Sequence, residues 1–280
     1  MQDRIPHPII DMHTHLRDSI PLGIRLKNPN NEGNVIGKVA KQGKVDVLLY
    51  MANTTPPLDD PEIIKRSLML KRHGARAIPV GAMTKNLEGK TPVDIDAIKP
   101  YVAGFSDDGK CLEDLEILEY FLRKGVLVLA HCEPETETIE KYIKVLERSR
   151  GNLHIQHVSR KSSVEAIRTA KKIGLPITCE TCPQYFIYTY NDRDLVLNPP
   201  LGSEMDVAEI KKGLRDGTID VIASDHAPHD DPIRNGLRGL KTLVSLSYGL
   251  VLSGVLPEGE LWKKLTVNPQ RIIAKNGYII

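Results

Sequence analysis

Two imidazoles stand two residues apart at the end of an apolar run, in Asp11-Met12-His13-Thr14-His15-Leu16-Arg17. Residues i and i+2 of an extended strand point to one face, so His13 and His15 converge on one point in space. Neutral imidazoles placed in this way form half of a site for a divalent transition metal. Arg17 continues the alternation, and a guanidinium just beyond the metal suits a two-pronged grip on a substrate carboxylate. His-x-His also arises by chance, so the tripeptide needs company.

The company is found along the chain. Val126 to Ala130 runs directly into His131, which is either a hydrogen-bonded core histidine or a ligand. Leu153-His154-Ile155-Gln156-His157 carries two histidines three apart, which on a strand face opposite sides. His157, at the strand end, is expected to look into the site, and His154 to pack outward against a helix. His7 and His73 read as surface residues. Asp107 and Asp108 precede Gly109, a turn composition, yet a carboxylate beside several imidazoles can also reach two cations with its two oxygens. Asp225 leads Asp225-His226-Ala227-Pro228-His229 and reads either as a helix cap or as a base over a metal-bound water. Asn53 and Asn198 each lead a proline-stiffened loop, where an amide can be held rigidly enough to hydrogen-bond a polar ring. Cys179 and Cys182 have the spacing of a redox or zinc pair, but with no second pair they read as packing residues. With nitrogen and oxygen donors in this mixture, zinc is the expected ion, one or two per chain.

These side chains need strands that end together. Apolar runs read as strands at Ile9 to Met12, Val45 to Met51, Ala75 to Val80, Tyr101 to Phe105, Val126 to Ala130, Leu153 to Gln156, Pro176 to Cys179 and Val221 to Ala223. Segments of helical period alternate with them: Glu32 to Lys41, Pro61 to His73, a short Pro92 to Ile98, Leu112 to Arg123, Glu137 to Ser149, Ser162 to Ile173, Glu204 to Arg215 and Leu240 to Leu252. Ser162 and Glu165 have the form of a capping box, and Gly74, Gly125 and Gly174 sit where helix ends favour a left-handed residue. Eight such units predict an α/β fold, a (β/α)8 barrel forming one domain over residues 1–280, with its chemistry at the carboxyl ends of the strands. His13, His15, Asn53, Asp107, Asp108, His131, His157, Glu180 and Asp225 all fall just there. A doubly wound open sheet is the rival, but it would place a glycine-rich turn where His-Thr-His stands.

Composition narrows the partners. The 280 residues are 41% hydrophobic and 26% charged, and 38 basic against 36 acidic side chains leave a net charge of +2. That gives no field to attract nucleic acid or an anionic membrane. No apolar stretch approaches the ~20 residues of a membrane span, and with four cysteines and no leader a reducing cytoplasm is expected.

Seven motifs, in order, carry a resemblance: Asp-Met-His-Thr-His-Leu-Arg-Asp from Asp11, Asn-Thr-Thr-Pro from Asn53, Phe-Ser-Asp-Asp-Gly from Phe105, Ala-His-Cys-Glu from Ala130, His-Val-Ser from His157, Asn-Pro-Pro-Leu from Asn198 and Ser-Asp-His-Ala-Pro-His from Ser224. The chain resembles the amidohydrolase superfamily and, within it, the longer dihydroorotases. The resemblance implies that His13 and His15 hold one metal and His131 and His157 a second. Asp108, ahead of Asp107, would bridge them in place of the carboxylated lysine of many relatives. Asp225 would be shared ligand and proton shuttle, Arg17, Asn53 and His229 would bind the substrate carboxylate, and Asn198 the ring.

The implied reaction interconverts N-carbamoyl-L-aspartate and L-dihydroorotate, for de novo pyrimidine biosynthesis, with a hydroxide generated on the metals attacking the ring amide carbonyl. The alternatives are a hydantoinase or allantoinase, against which the anion-binding Arg17 speaks, and a non-catalytic subunit scaffolding aspartate carbamoyltransferase, against which the complete ligand set speaks. Gly202 and Gln184-Tyr185 depart from the dihydroorotase pattern, the latter toward hydantoinases. The chain begins shortly before the first motif and stops soon after Asn268-Pro269, so the small β-sandwich of relatives is expected to be largely missing. Apolar surface thereby uncovered predicts a homo-oligomer or a complex with another enzyme of the pathway.

Overall fold

Apolar runs rich in Val, Ile and Leu suit strands buried on both faces, as parallel strands wrapped by helices must be. The computed structural model describes residues 5–16, 32–70, 74–192, 195–228 and 236–280, with the side chains of 32–35 left aside. Its strands are β1 (Ile10–Thr14), β2 (Val47–Tyr50), β3 (Arg76–Pro79), β4 (Leu127–Ala130), β5 (Asn152–Ile155), β6 (Ile177–Thr181) and β7 (Val221–Ile222). Parallel pairing gives one sheet β1-β2-β3 and another β4-β5-β6-β7.

Two seams join these sheets into a barrel. At one, residues 102–105 run between β3 and β4, with bridges from Phe105 to Gly81 and Val128. The sequence predicts a strand from Tyr101, but Lys99–Tyr101 turns as a 3-10 helix, so pairing starts at Ala103, whose N–H donates to the Pro79 carbonyl, and continues through Gly104 and Phe105. Gly104 allows the approach: a Cβ there would lie 2.6 Å from the Leu129 side chain and 2.9 Å from the Leu127 carbonyl. At the other seam Thr14 bridges His226 beyond β7, and His15 N–H donates to the His226 carbonyl at 2.7 Å.

Helices pack outside the ring. Ile10, Met12, Leu49, Met51, Val80, Leu127, Leu129 and Val221 fill its interior, with Ile272 and Ile273 from the last helix, while Leu48, Tyr50, Val128, Ile155 and Ile177 face the helical layer. The structure adds helices at Pro183–Ile187, Glu258–Leu265 and Val267–Ala274 to those expected. Ser162 does not form a capping box, because Lys161–Lys172 starts one residue earlier and its first amides are met from elsewhere. Glu135 accepts from Ser159 and Arg160 N–H, and Asp206 from Lys161 N–H at 2.8 Å. A capping box does form between Ser203 and Asp206 at the next long helix. No described helix is long and apolar enough to cross a membrane.

Candidate metal centre

Strand ends deliver the side chains. β1 departs from strict alternation, since Met12 packs in the interior and the next residue, His13, also reaches inward; the pairing with β2 shifts register between Asp11 and Thr14. His13 presents Nε2 to Asp108 Oδ2 at 2.6 Å and to Asp225 Oδ1 at 3.6 Å. His15 Nε2 lies 3.3 Å from the same two oxygens. Each ring is held from behind: the Nδ1 of His13 is 2.7 Å from Glu180 Oε1, and that of His15 is 3.1 Å from Asn53 Oδ1. A carboxylate or carbonyl oxygen accepts, so both Nδ1 atoms carry hydrogen and both Nε2 atoms face the cage.

The opposite side is built by β4 and β5. Nδ1 of His131 and Nε2 of His157 face each other at 2.8 Å, and Asp108 Oδ1 lies 3.2 Å from the former. Asp108 therefore divides its two oxygens, Oδ2 toward His13 and His15 and Oδ1 toward His131. Its amide donates to Ser106 Oγ, and Gly109 N–H donates to Oδ1 at 2.5 Å, which fixes the carboxylate plane. Asp107 points away, accepting from Met83 N–H at 2.7 Å and from Thr84 N–H and hydroxyl, so it secures the loop after β3.

Two cage residues adopt left-handed backbone conformations, His157 at φ 35° and Asp225 at φ 46°. Each costs on the order of 1 kcal/mol or more and persists because its neighbours are tied down. Gln156 N–H donates to the Ala130 carbonyl and Val158 N–H to that of Glu180, while Ser224 N–H donates to Asp11 Oδ1. The turn at His157 also explains His154. Instead of packing outward, His154 lies inside the barrel, 3.2 Å from Glu180 Oε2, and His157 still reaches the cage because its own backbone leaves the extended repeat.

Charge is concentrated here and dry. Burial alone would raise Asp108 and Asp225, but the imidazoles of His13 and His15 outweigh it and hold both carboxyls below the usual range, Asp108 well below. Burial opposes a charge on His13, yet Asp108 and Asp225 lift it well above its ordinary value. Burial, with His131 and His13 nearby, pushes His157 down to about 3. Burial would raise Glu180 as well, but hydrogen bonds from His13 and His154 bring it to about 2. Imidazole nitrogens and carboxylate oxygens gathered in two sets that meet at His13 suit divalent cations. The donor atoms of His13, His15 and Asp225 lie within 4.8 Å of one another, as do those of His13, Asp108 and His157.

Of the expected substrate contacts, Asn53 has both ends engaged, Oδ1 on His15 and Nδ2 on the Asp108 carbonyl at 3.4 Å. Asn198 donates to Glu133 Oε2 at 2.9 Å, itself 3.6 Å from His131 Nε2, so its loop hangs over the His131 side. The Tyr185 hydroxyl and the Arg160 guanidinium hold that loop by its carbonyls. Arg17, His73 and His229 lie outside the described residues. Sequence places Glu180 just past a strand end without a specific role and gives Asp11 none; the signal for Asp11 is an acid inside a strand that should be apolar, and Glu180 proves to lie within β6.

No family model matches the chain. It is 33% identical to a dihydroorotase of Geotalea daltonii, over 95% of this chain and 72% of the relative. It is likewise 33% identical to one of Lactococcus lactis, over 96% of this chain and 75% of the relative. Among solved structures, the L-hydantoinase (dihydropyrimidinase) from Arthrobacter aurescens superposes with a TM-score of 0.80 at 18% identity, covering 95% of this chain and 71% of that one. A dihydroorotase from Campylobacter jejuni gives 0.74 at 18% identity, covering 95% and 82%. At such identities the superpositions speak for the fold, the barrel of the amidohydrolases.

Proposed function

Because the chain belongs to the dihydroorotase family, we propose that it acts as a metal-dependent cyclic amidohydrolase interconverting N-carbamoyl-L-aspartate and L-dihydroorotate. The observation that carries this reading is the divided Asp108 carboxylate, one oxygen toward His13 and His15 and the other toward His131. His13, His15 and Asp225 would hold one cation, His131 and His157 the other, with Asp108 between them. When bound, the cations supply Lewis-acid chemistry, lowering the pKa of water toward neutrality and polarising an amide carbonyl.

The chain's own residues do the rest. In the hydrolytic direction a water oxygen bonds to the ring carbonyl carbon and the C–N bond breaks. Asp225, ionised at neutral pH, takes the water proton and returns it to the departing nitrogen. Its side chain is 12% exposed, on the open side of the cage, against 2% for Asp108. Asp108 keeps its carboxylate among the imidazoles throughout. Arg17 grips the substrate carboxylate with His229, and Asn198 meets the ring. Asn53, expected to join the carboxylate, instead orients His15. The test is ring closure of carbamoyl-aspartate by the purified protein, and a metal-loaded protein that turns over hydantoin but not carbamoyl-aspartate would overturn the assignment.

Zinc is the proposed ion, because the donor set is imidazole and carboxylate. Protein purified without chelator is expected to carry one to two equivalents; full activity with none would refute this. Loading should also release protons. His13 is raised above its ordinary value in the cation-free cage, so below that raised pKa a proton occupies the nitrogen a cation needs. Zinc affinity therefore falls as pH falls, roughly tenfold per pH unit for one displaced proton. Calorimetry in buffers of different ionisation enthalpy counts the protons, and a count of zero at neutral pH would contradict the cage electrostatics.

The chain is further proposed to self-associate. The helix Leu243–Leu252 is apolar on all sides, which suits a covered helix, yet Leu252 is 78% exposed and Leu246 37%. Light scattering at micromolar concentration should give a multiple of the chain mass, and a sharp monomer with full activity would refute it.

A further inference from the structure

One acid deep in the barrel has no part in the chemistry above. Glu180 is fully buried, and each of its oxygens faces an imidazole: Oε1 lies 2.7 Å from Nδ1 of His13, Oε2 3.2 Å from Nε2 of His154. His154, also fully buried, has its other nitrogen 2.9 Å from the Thr178 hydroxyl. Thr178, Glu180, His154 and His13 thus form a polar line through a mostly apolar interior, with the buried Gln156 amide 3.4 Å from the His13 ring nitrogens. A buried carboxylate is costly unless its partners repay the lost hydration, and an apolar residue would fill this place without that cost. What the carboxylate does here that an apolar residue cannot is accept a hydrogen from Nδ1 of His13. The neutral ring then has a bare Nε2, the atom that lies 2.6 Å from Asp108.

We propose that Glu180 is a positioning residue that fixes His13 in its Nδ1–H form and aims its Nε2 into the cage, with His154 holding Glu180 by its second oxygen. This rests on the reading of His13 as a cation ligand. Glu180→Gln removes the charge and, through its amide NH2, offers Nδ1 a donor. A ring that accepts at Nδ1 carries its hydrogen on Nε2 and blocks the cation. His154→Asn leaves Glu180 and its bond to His13 in place and loosens only its far support.

The test measures zinc affinity of the full chain by competition with a chromophoric chelator, and the Nδ1 proton of His13 by NMR in the zinc-loaded protein. Glu180→Gln is expected to weaken zinc binding ~10- to ~100-fold, the range found for lost outer partners of metal-bound histidines. The His13 Nδ1 proton, far downfield and slow to exchange in the wild type, should move upfield and exchange faster. His154→Asn should cost less and keep the proton. Wild-type zinc affinity together with an unchanged Nδ1 proton in Glu180→Gln would overturn the proposal. Should Glu180→Gln fail to fold, Glu180→Leu takes its place: it fills the site and accepts nothing from Nδ1, so unchanged affinity there would overturn the proposal equally. Neither readout uses turnover, so a wild type that binds zinc but closes no ring would sink the assigned reaction and leave Glu180 to be judged separately.

Discussion

Asp225→Asn is expected to lower kcat by about 10³- to 10⁴-fold while KM stays within a few-fold of wild type. The carboxylate lies 3.3 Å from His15 Nε2 and 3.6 Å from His13 Nε2, and it is held ionised by those rings against the effect of burial. A group that moves a proton acts in the transition state, so its loss appears in kcat rather than in binding. Asparagine is the informative replacement on two counts. It keeps an oxygen donor toward the cage, and it is among the few residues that tolerate the φ of 46° at this position without added strain. Metal content is measured alongside. A variant with full zinc and wild-type kcat would remove Asp225 from the proton path.

Arg17→Met should behave in the opposite way, raising KM chiefly. The guanidinium grips a carboxylate whose charge is the same before, during and after the reaction, so most of what it contributes is uniform binding. Losing a charge-assisted, two-pronged hydrogen bond costs on the order of 2 to 4 kcal/mol, or ~30- to ~1000-fold in kcat/KM. Arg17 lies outside the described residues, so the expectation stands on its place two residues beyond His15. The same variant should lose far less on dihydrouracil, which has no carboxylate to grip. Equal losses on both substrates would make Arg17 a support of the metal centre and would remove the residue that favours dihydroorotate over an uncharged ring.

What could be read in the sequence was whatever a periodic rule or a side chain's own chemistry dictates. Buried parallel strands announce themselves as apolar runs, so the seven strands among the described residues fall on predicted segments, β4 and β2 within a residue or two of the expected ends. The segment predicted from Tyr101 to Phe105 pairs only from Ala103 onward, because the 3-10 turn at Lys99–Tyr101 takes its first residue and hydrophobicity does not report such a turn. Alternation placed His154 outward, and it faces inward; alternation assumes extended backbone, and the backbone turns left-handed at His157 itself. The convergence of His13, His15, Asp108, His131, His157 and Asp225 follows from strand ends meeting at one mouth. The partners behind the rings do not, since Glu180 is 167 positions from His13 and only the closed barrel brings them together. The same holds for Asn53, whose loop composition suggested a ligand for substrate and whose position makes it a brace for His15.

The two seams bear on more than topology. A ring made of a three-stranded and a four-stranded sheet is held along its joints by isolated bridges, at Phe105 and at Thr14 with His226. His13 and His15 stand on the first sheet, His131, His157 and Glu180 on the second, Asp108 just past one joint and Asp225 just before the other. The polar cage therefore ties the two half-barrels together through side chains, beside the backbone hydrogen bonds that cross each joint. The side chains proposed to hold the cations are thus also contacts that close the ring, so a substitution among them should lower thermal stability as well as activity.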